Sequence, residues 1–127
     1  MSAPLAEVVV AAADQGPELR IVAGDGDAHA VIWPGMGAEL RSMHRISLGG
    51  GARTIEMTHP ADAVYYVISG AGEAVDREAG ERGALIEGSM VHVDAGTPYE
   101  LVARGQGMEL IGGPCPPDAS LYEGVGG

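Results

Sequence analysis

The sequence predicts an all-β fold, a sandwich or a barrel. Short runs rich in strand-forming residues recur along the chain, and turn signals rich in Gly separate them. No window sustains the i, i+3, i+4, i+7 apolar spacing of an amphipathic helix. The length of 127 residues is that of one domain, long enough to bury about two-thirds of the surface that the unfolded chain exposes.

The candidate strands follow from β-branched, aromatic and small apolar residues bounded by Gly, Pro and Asp. In chain order, the predicted strands are Glu7–Ala12, Leu19–Val22, Ala28–Trp33, Leu40–Leu48, Thr54–Met57, Ala63–Ser69, Gly72–Asp76, Gly83–Ile86, Met90–Val93, Glu100–Ala103 and Met108–Ile111. The turn signals between them are GDGD (24–27), PGMG (34–37), GGG (49–51), SGAG (69–72), EAGERG (78–83), DAGTP (94–98) and RGQG (104–107). No internal repeat or linker divides the chain, so residues 1–127 are predicted to form one domain. The Pro- and Gly-rich tail predicts an irregular C-terminal arm at 114–127, anchored by Leu121 and Tyr122.

The charge and the cysteine content exclude several classes of function. A net charge of −11 with only seven Lys and Arg leaves no basic footprint for nucleic acid, and it disfavours anionic membranes. The N-terminus lacks a basic region before its apolar run, and no apolar run approaches 18 residues, so neither a signal peptide nor a membrane span is predicted. The single Cys115 cannot form an internal disulfide, and a cytoplasmic location is expected.

Two segments share the spacing of a known pair of motifs. In the first segment the motif positions are occupied by Gly51, Met57, His59, Ala63 and Gly70. In the second segment they are occupied by Gly88, Asp94, Gly96, Tyr99 and Ala103. This spacing resembles the two motifs of the cupin superfamily, G-x5-H-x-H-x3-4-E-x6-G and G-x5-P-x-G-x2-H-x3-N. The resemblance implies a double-stranded β-helix, or jelly-roll barrel, whose core covers about residues 5–113.

The departures from these motifs fall on the metal ligands. Of the four positions that usually ligate a metal in this family, only His59 is kept, while Met57, Ala63 and Tyr99 replace the other three. The resemblance therefore implies the scaffold without the usual metal site, and no cofactor is favoured. A divalent transition metal remains an alternative if three histidines converge, namely His44, His59 and His92.

Strand parity predicts which candidate site residues face the barrel interior, because side chains two residues apart on a strand share a face. By the motif match, the residues predicted to face the barrel interior are Met57, His59, Ala63, Tyr65, Val67 and Tyr99. His44 shares the more apolar parity of its strand and is also expected inside. The parity of His92 stays open: Val91 and Val93 look like core, which turns His92 outward, yet a small barrel can use both faces.

These residues predict a small-molecule enzyme that transfers protons. His59 is the expected general acid or base, and Tyr99 and His44 are expected to donate hydrogen bonds to a carbonyl or enolate oxygen. The substrate pocket is predicted to be formed by Met57, Ala63, Tyr65, Val67 and His92. The reaction is then that of an isomerase, a lyase or a cyclase.

Two alternatives remain open at this stage. One is a non-catalytic barrel that binds a small molecule, and the other is a metal-dependent, oxygenase-like enzyme with a rearranged histidine site. The expected partners are a small-molecule ligand and a second copy of the chain, with no nucleic acid and no membrane. Homodimerisation through open sheet edges is predicted, with Glu7–Ala12 as a strand that swaps onto the neighbour.

Overall fold

A computed structural model describes residues 8–124 and confirms the all-β prediction. The strands are β1 (Val22–Ala23), β2 (Gly26–Ile32), β3 (Met43–Leu48), β4 (Arg53–Thr54), β5 (Ala63–Asp76), β6 (Arg82–Ile86), β7 (Met90–Val93) and β8 (Tyr99–Pro114). Two short 3₁₀ turns accompany them, at Pro34–Met36 and Ala119–Tyr122. No helix in the described part of the chain is long and apolar enough to cross a membrane.

Two long strands hold the barrel together. The C-terminal half of β8 and the N-terminal half of β5 join β3, β2 and β7 in one sheet. The other halves of β8 and β5 join β4, β1 and β6 in a second sheet. Because β5 and β8 pair with each other along both halves, the two sheets form one nearly closed barrel.

The prediction of turns at SGAG and RGQG is wrong, because β5 and β8 pass from one sheet to the other at these points. SGAG and RGQG are not hairpin turns, since β5 and β8 each continue through them. Gly70 and Gly107 adopt φ of 85° and 82°, and the pairing jumps from Gly70–Met108 to Gly72–Ala103. A left-handed glycine therefore makes a bulge that bends a continuous strand, where the sequence alone predicts a chain reversal.

Other boundaries also differ from the prediction. Residues 8–12 form no strand, and Glu7 lies outside the described residues. Thr54–Met57 shrinks to the end of β4 plus an isolated bridge between Met57 and Tyr99. Leu19–Val22 reduces to the start of β1, Leu40–Leu48 begins only at Met43, and β8 runs on to Pro114.

The barrel interior is lined as the parity predicts. Along β5, Ala63, Tyr65 and Val67 are buried while Val64 and Tyr66 are exposed. The interior is therefore mostly apolar, and several of its few polar side chains are hydrogen-bonded to one another. These pairs define the candidate site.

Replacing Gly70 by alanine is expected to destabilise the fold by about 1–3 kcal/mol, the cost of forcing a non-glycine residue into the left-handed region. The added Cβ would also meet the carbonyl oxygen of Gly107. Gly83→Ala is the matched control, because Gly83 has open space and no left-handed φ, and its change should stay within about 0.5 kcal/mol. Urea unfolding measures both; equal stability of the two variants would contradict the assigned bulge.

Candidate active site

Four side chains form a continuous hydrogen-bonded line through the barrel. Asp118 Oδ2 lies 2.8 Å from His59 Nδ1, and His59 Nε2 lies 2.7 Å from the hydroxyl of Tyr99. The hydroxyl of Tyr99 lies 2.5 Å from that of Tyr65. All four residues are buried. We call Asp118, His59, Tyr99 and Tyr65 the relay.

The charges fix the direction of the first hydrogen bond in the relay. Burial alone would raise the pKa of Asp118, but hydrogen bonds from His59 and from the side chain and backbone of Ser120 lower it below its ordinary value. The carboxylate is therefore ionised near neutral pH and can only accept. His59 Nδ1 must carry the proton that it donates to Asp118.

The tyrosines fix the other side of the imidazole. Burial, and then the neighbouring Tyr65 and Asp118, raise the pKa of Tyr99 far above its ordinary value. Burial likewise raises the pKa of Tyr65 to about 12. Both phenols keep their protons, so Tyr99 can donate to His59 Nε2 and Tyr65 can donate to Tyr99. This leaves Nε2 as the basic atom of the relay.

The backbone holds His59 and Tyr99 in register. Met57 and Tyr99 exchange two backbone hydrogen bonds of 2.9 Å, which fixes the start of β8 beside the segment that carries His59. Gly96 donates to the carbonyl of His59 at 2.8 Å. The turn of the second motif thus aligns Tyr99 with His59 across the interior.

Asp118 comes from the C-terminal arm, and sequence reasoning missed it. Its Oδ1 accepts from Ser120 N at 3.0 Å and Ser120 Oγ at 2.7 Å, so the side chain caps the 3₁₀ turn Ala119–Tyr122 while Oδ2 reaches His59. The signal in the sequence is the Asp-x-Ser after Pro116 and Pro117, a capping pattern in a Pro-rich tail.

The same arm supplies a partner for the second interior histidine. His44 Nε2 lies 2.7 Å from the hydroxyl of Tyr122, whose ring packs on Trp33 at a centroid distance of 5.2 Å. Burial, and then the neighbouring His59, lower the pKa of His44 to about 4, so His44 is neutral at pH 7. Its Nδ1 is buried without a hydrogen-bond partner among the described residues.

The structure separates the residues predicted from the sequence into two groups. His44, Met57, His59, Ala63, Tyr65, Val67 and Tyr99 are buried in the barrel. His92 is not among them: its side chain is 57% exposed on the outer face, beside Asp62 at 3.7 Å and Asp94 at 3.5 Å. The reason is the alternation of β7, which buries Val91 and Val93 instead.

The interior does not fit the three-histidine metal site that the sequence left as an alternative. His92 lies outside the barrel, and Met57 and Ala63 occupy two of the family's ligand positions. Both nitrogens of His59 already have partners. Within residues 8–124, the one cluster of three metal-ligating side chains is Asp62, His92 and Asp94, and it is fully on the surface.

Two clefts lead to the relay from different sides. The arm cleft, about 270 Å³, is lined by Arg20, Ile21, Ile55, Glu56, Met57, Thr58, His59, Asp118, Ser120, Leu121 and Glu123. The β6–β7 cleft, about 310 Å³, is lined by Ala74, Val75, Asp76, Glu81, Arg82, Gly83, Val91, His92, Val93, Asp94, Thr97 and Tyr99. His59 and Asp118 thus face one cleft, and Tyr99 faces the other.

The nearly closed barrel defines a cupin-fold protein. No protein-family model matches the chain, and no curated protein sequence matches it. Solved cupin structures do, and they confirm at the level of the fold the resemblance seen in the motifs.

Three of these structures illustrate the likeness. A cupin-like protein from Thermotoga maritima aligns with a TM-score of 0.67 at 19% identity, over 74% of this chain and 71% of that chain. A predicted oxalate decarboxylase from the same organism aligns with a TM-score of 0.66 at 18% identity, over 83% and 96%. Ectoine synthase from P. lautus aligns with a TM-score of 0.65 at 19% identity, over 83% and 72%.

Proposed function

We propose that this protein is a small-molecule enzyme of the isomerase, lyase or cyclase class that moves a proton with His59. The observation that carries the proposal is the buried contact of His59 with Asp118 on one nitrogen and with Tyr99 on the other. A carboxylate that holds one side of an imidazole leaves the other side as an oriented base. Asp118 is thus a positioning residue.

In the proposed mechanism, the substrate enters between His59 Nε2 and the Tyr99 hydroxyl, which lie 2.7 Å apart at rest. A carbonyl oxygen that accepts from the Tyr99 hydroxyl would bring its α-carbon towards Nε2. His59 then takes the C–H proton, and Tyr99 stabilises the enolate oxygen, with Tyr65 donating to Tyr99 from behind. The proton on Nε2 returns to another carbon in an isomerisation, or to a leaving group in an elimination.

The similar structures support the reaction class without fixing the substrate. They include an ectoine synthase and a predicted oxalate decarboxylase, so barrels of this shape carry enzymes. Independence from a metal is part of the proposal, because Met57 and Ala63 stand at two ligand positions and His92 lies outside.

Solvent exchange tests the proposal across a panel of candidate substrates. The protein is incubated in D₂O with small keto, hydroxy and amino acids, and loss of C–H signals is followed by NMR. We expect exchange at a carbon next to a carbonyl in at least one compound class, unchanged by a chelator. Exchange that a chelator abolishes and a divalent metal restores would overturn the metal-independent mechanism.

A second candidate function is binding without chemistry. It is favoured by one observation, that each polar group of the relay already has a partner, so the network is satisfied without a ligand. A compound that binds in the barrel with no exchange at any carbon would support this function against the first.

We also propose a homodimer through the outer face of the first sheet. Val64, Tyr66 and Met90 are 43%, 42% and 67% exposed there, and Tyr66 pairs with Met90 on one side and Ile111 on the other. A contiguous apolar row of this kind marks an interface, and a two-fold axis can place it against its own copy. Light scattering should give a dimer for the wild type and for Ile86→Lys on β6, and a monomer for Tyr66→Lys; a wild-type monomer at micromolar concentration would contradict it.

A further inference from the structure

We infer that the arm cleft binds a small zwitterion, a molecule that carries a carboxylate and an ammonium group. The inference rests on the proposed function, since the proposed base His59 lines this cleft together with Asp118. It comes from the charged side chains that line this cleft. Some of them already have partners within the protein, and others do not.

Four ionised side chains line the arm cleft: Arg20, Glu56, Asp118 and Glu123. Two of them are already engaged. Glu56 pairs with Arg77 at 3.5 Å, and Asp118 holds His59 and Ser120. Both carboxylates therefore already have an ion-pair or hydrogen-bond partner within the protein.

Arg20 and Glu123 are different. Within residues 8–124 neither forms an ion pair, with each other or with another residue. One cation and one anion thus face the same cleft without neutralising each other. Both are exposed, so they can meet a ligand without moving buried groups.

Only a ligand with both charges suits this pair. A simple carboxylate gains from Arg20 but approaches the carboxylate of Glu123, and a simple amine has the reverse problem. A zwitterion gains at both ends. The carbon chain between the two charges would lie on the apolar wall of the cleft, formed by Ile21, Ile55, Met57 and Leu121.

The size of the cleft agrees with a compact ligand. The cleft, of about 270 Å³, is slightly smaller than the roughly 300–1,000 Å³ of pockets that take drug-sized ligands, so an amino acid or a short derivative of one matches its scale. The ligand class is then an amino acid or a short derivative of one.

The β6–β7 cleft lacks this arrangement. Its arginine, Arg82, pairs with Glu73 at 3.6 Å, and its histidine, His92, lies between Asp62 and Asp94. Its arginine is therefore already paired. It serves as an internal control, because Arg82 and Glu81 line it as Arg20 and Glu123 line the arm cleft.

Calorimetric titration tests the inference with ω-amino acids from glycine to 5-aminopentanoate, alongside carboxylates and amines of the same lengths. One zwitterion length should bind at least tenfold more tightly than its singly charged analogues. Arg20→Gln and Glu123→Gln should each weaken that ligand about tenfold, the loss of one hydrogen bond to a charged group. Arg82→Gln and Glu81→Gln should change it less than twofold.

Three results would overturn the inference: equal binding of singly charged analogues, no effect of the two arm-cleft variants, or an equal effect of the two control variants. The proposed function fails separately. Binding with the expected charge dependence but without C–H exchange would reject the chemistry and keep the ligand class. Exchange that ignores Arg20 and Glu123 would keep the chemistry and reject the ligand class.

Discussion

Replacing His59 by glutamine is expected to slow C–H exchange by about 10²–10⁴-fold, the usual contribution of a general acid–base group. Glutamine keeps an amide that can donate towards Asp118, so the arm should stay in place. The variant nevertheless lacks a titratable nitrogen opposite Tyr99. The loss should therefore fall on kcat, with KM little changed, as measured by NMR on the compound that exchanges fastest.

Two companion variants divide the roles within the relay. Asp118→Asn should also slow exchange, since an amide no longer fixes the proton on Nδ1 of His59. Tyr99→Phe removes the donor to the substrate oxygen and should cost a further loss of the same kind. His29→Gln, on the outer surface of β2, is the control and should leave the rate unchanged. A His59→Gln protein as fast as the wild type would refute the assigned mechanism.

The second large effect concerns stability at mildly acid pH. His44 has a pKa of about 4 in the folded protein and an ordinary value of 6.5 when unfolded. Between these values the unfolded chain binds a proton at His44 that the folded chain does not. Stability must therefore rise with pH in this window and fall as pH drops from about 6.5 to 4. The loss attributable to His44 is on the order of 3 kcal/mol.

Two other groups have shifted pKa values, and they act weakly within this window or outside it. The hydrogen bond to Gly16 raises the pKa of His29, which opposes the effect weakly because His29 is partly exposed. The lowered pKa of Asp118 adds a loss of stability only near and below its ordinary value of 3.8. Urea unfolding at pH 7, 6 and 5 should show a much flatter pH dependence for His44→Gln than for the wild type. Equal slopes would show that His44 does not titrate as its burial implies.

The all-β class could be predicted because it depends on local strand and turn patterns, and the jelly-roll barrel could be predicted because the spacing of two motifs resembles that of the cupin superfamily. The glycines of the two motifs and the alternation along β5 place Tyr65 and Val67 inside, independently of any distant contact. The interior position of Tyr99 was predicted from its place in the second motif. The burial of His59, Tyr99 and His44 agrees with that prediction.

The other half of the site could not be predicted, because it depends on a contact distant in sequence. Asp118 lies 59 residues from His59, in an arm without strand periodicity. Tyr122 was expected as an anchor, but its partner His44 lies 78 residues away. Similarly, nothing local distinguishes the bulge at Gly70 from a turn; only its pairing with β8 does.

The relay is the basis of the proposed chemistry, and its proton positions can be observed directly. Long-range ¹H–¹⁵N NMR of the imidazole of His59 at neutral pH reports which nitrogen carries a proton. We predict a proton on Nδ1, facing Asp118, and a bare Nε2 that accepts from Tyr99. A proton on Nε2 would contradict the proposed mechanism, because His59 would then have no basic nitrogen to offer a substrate.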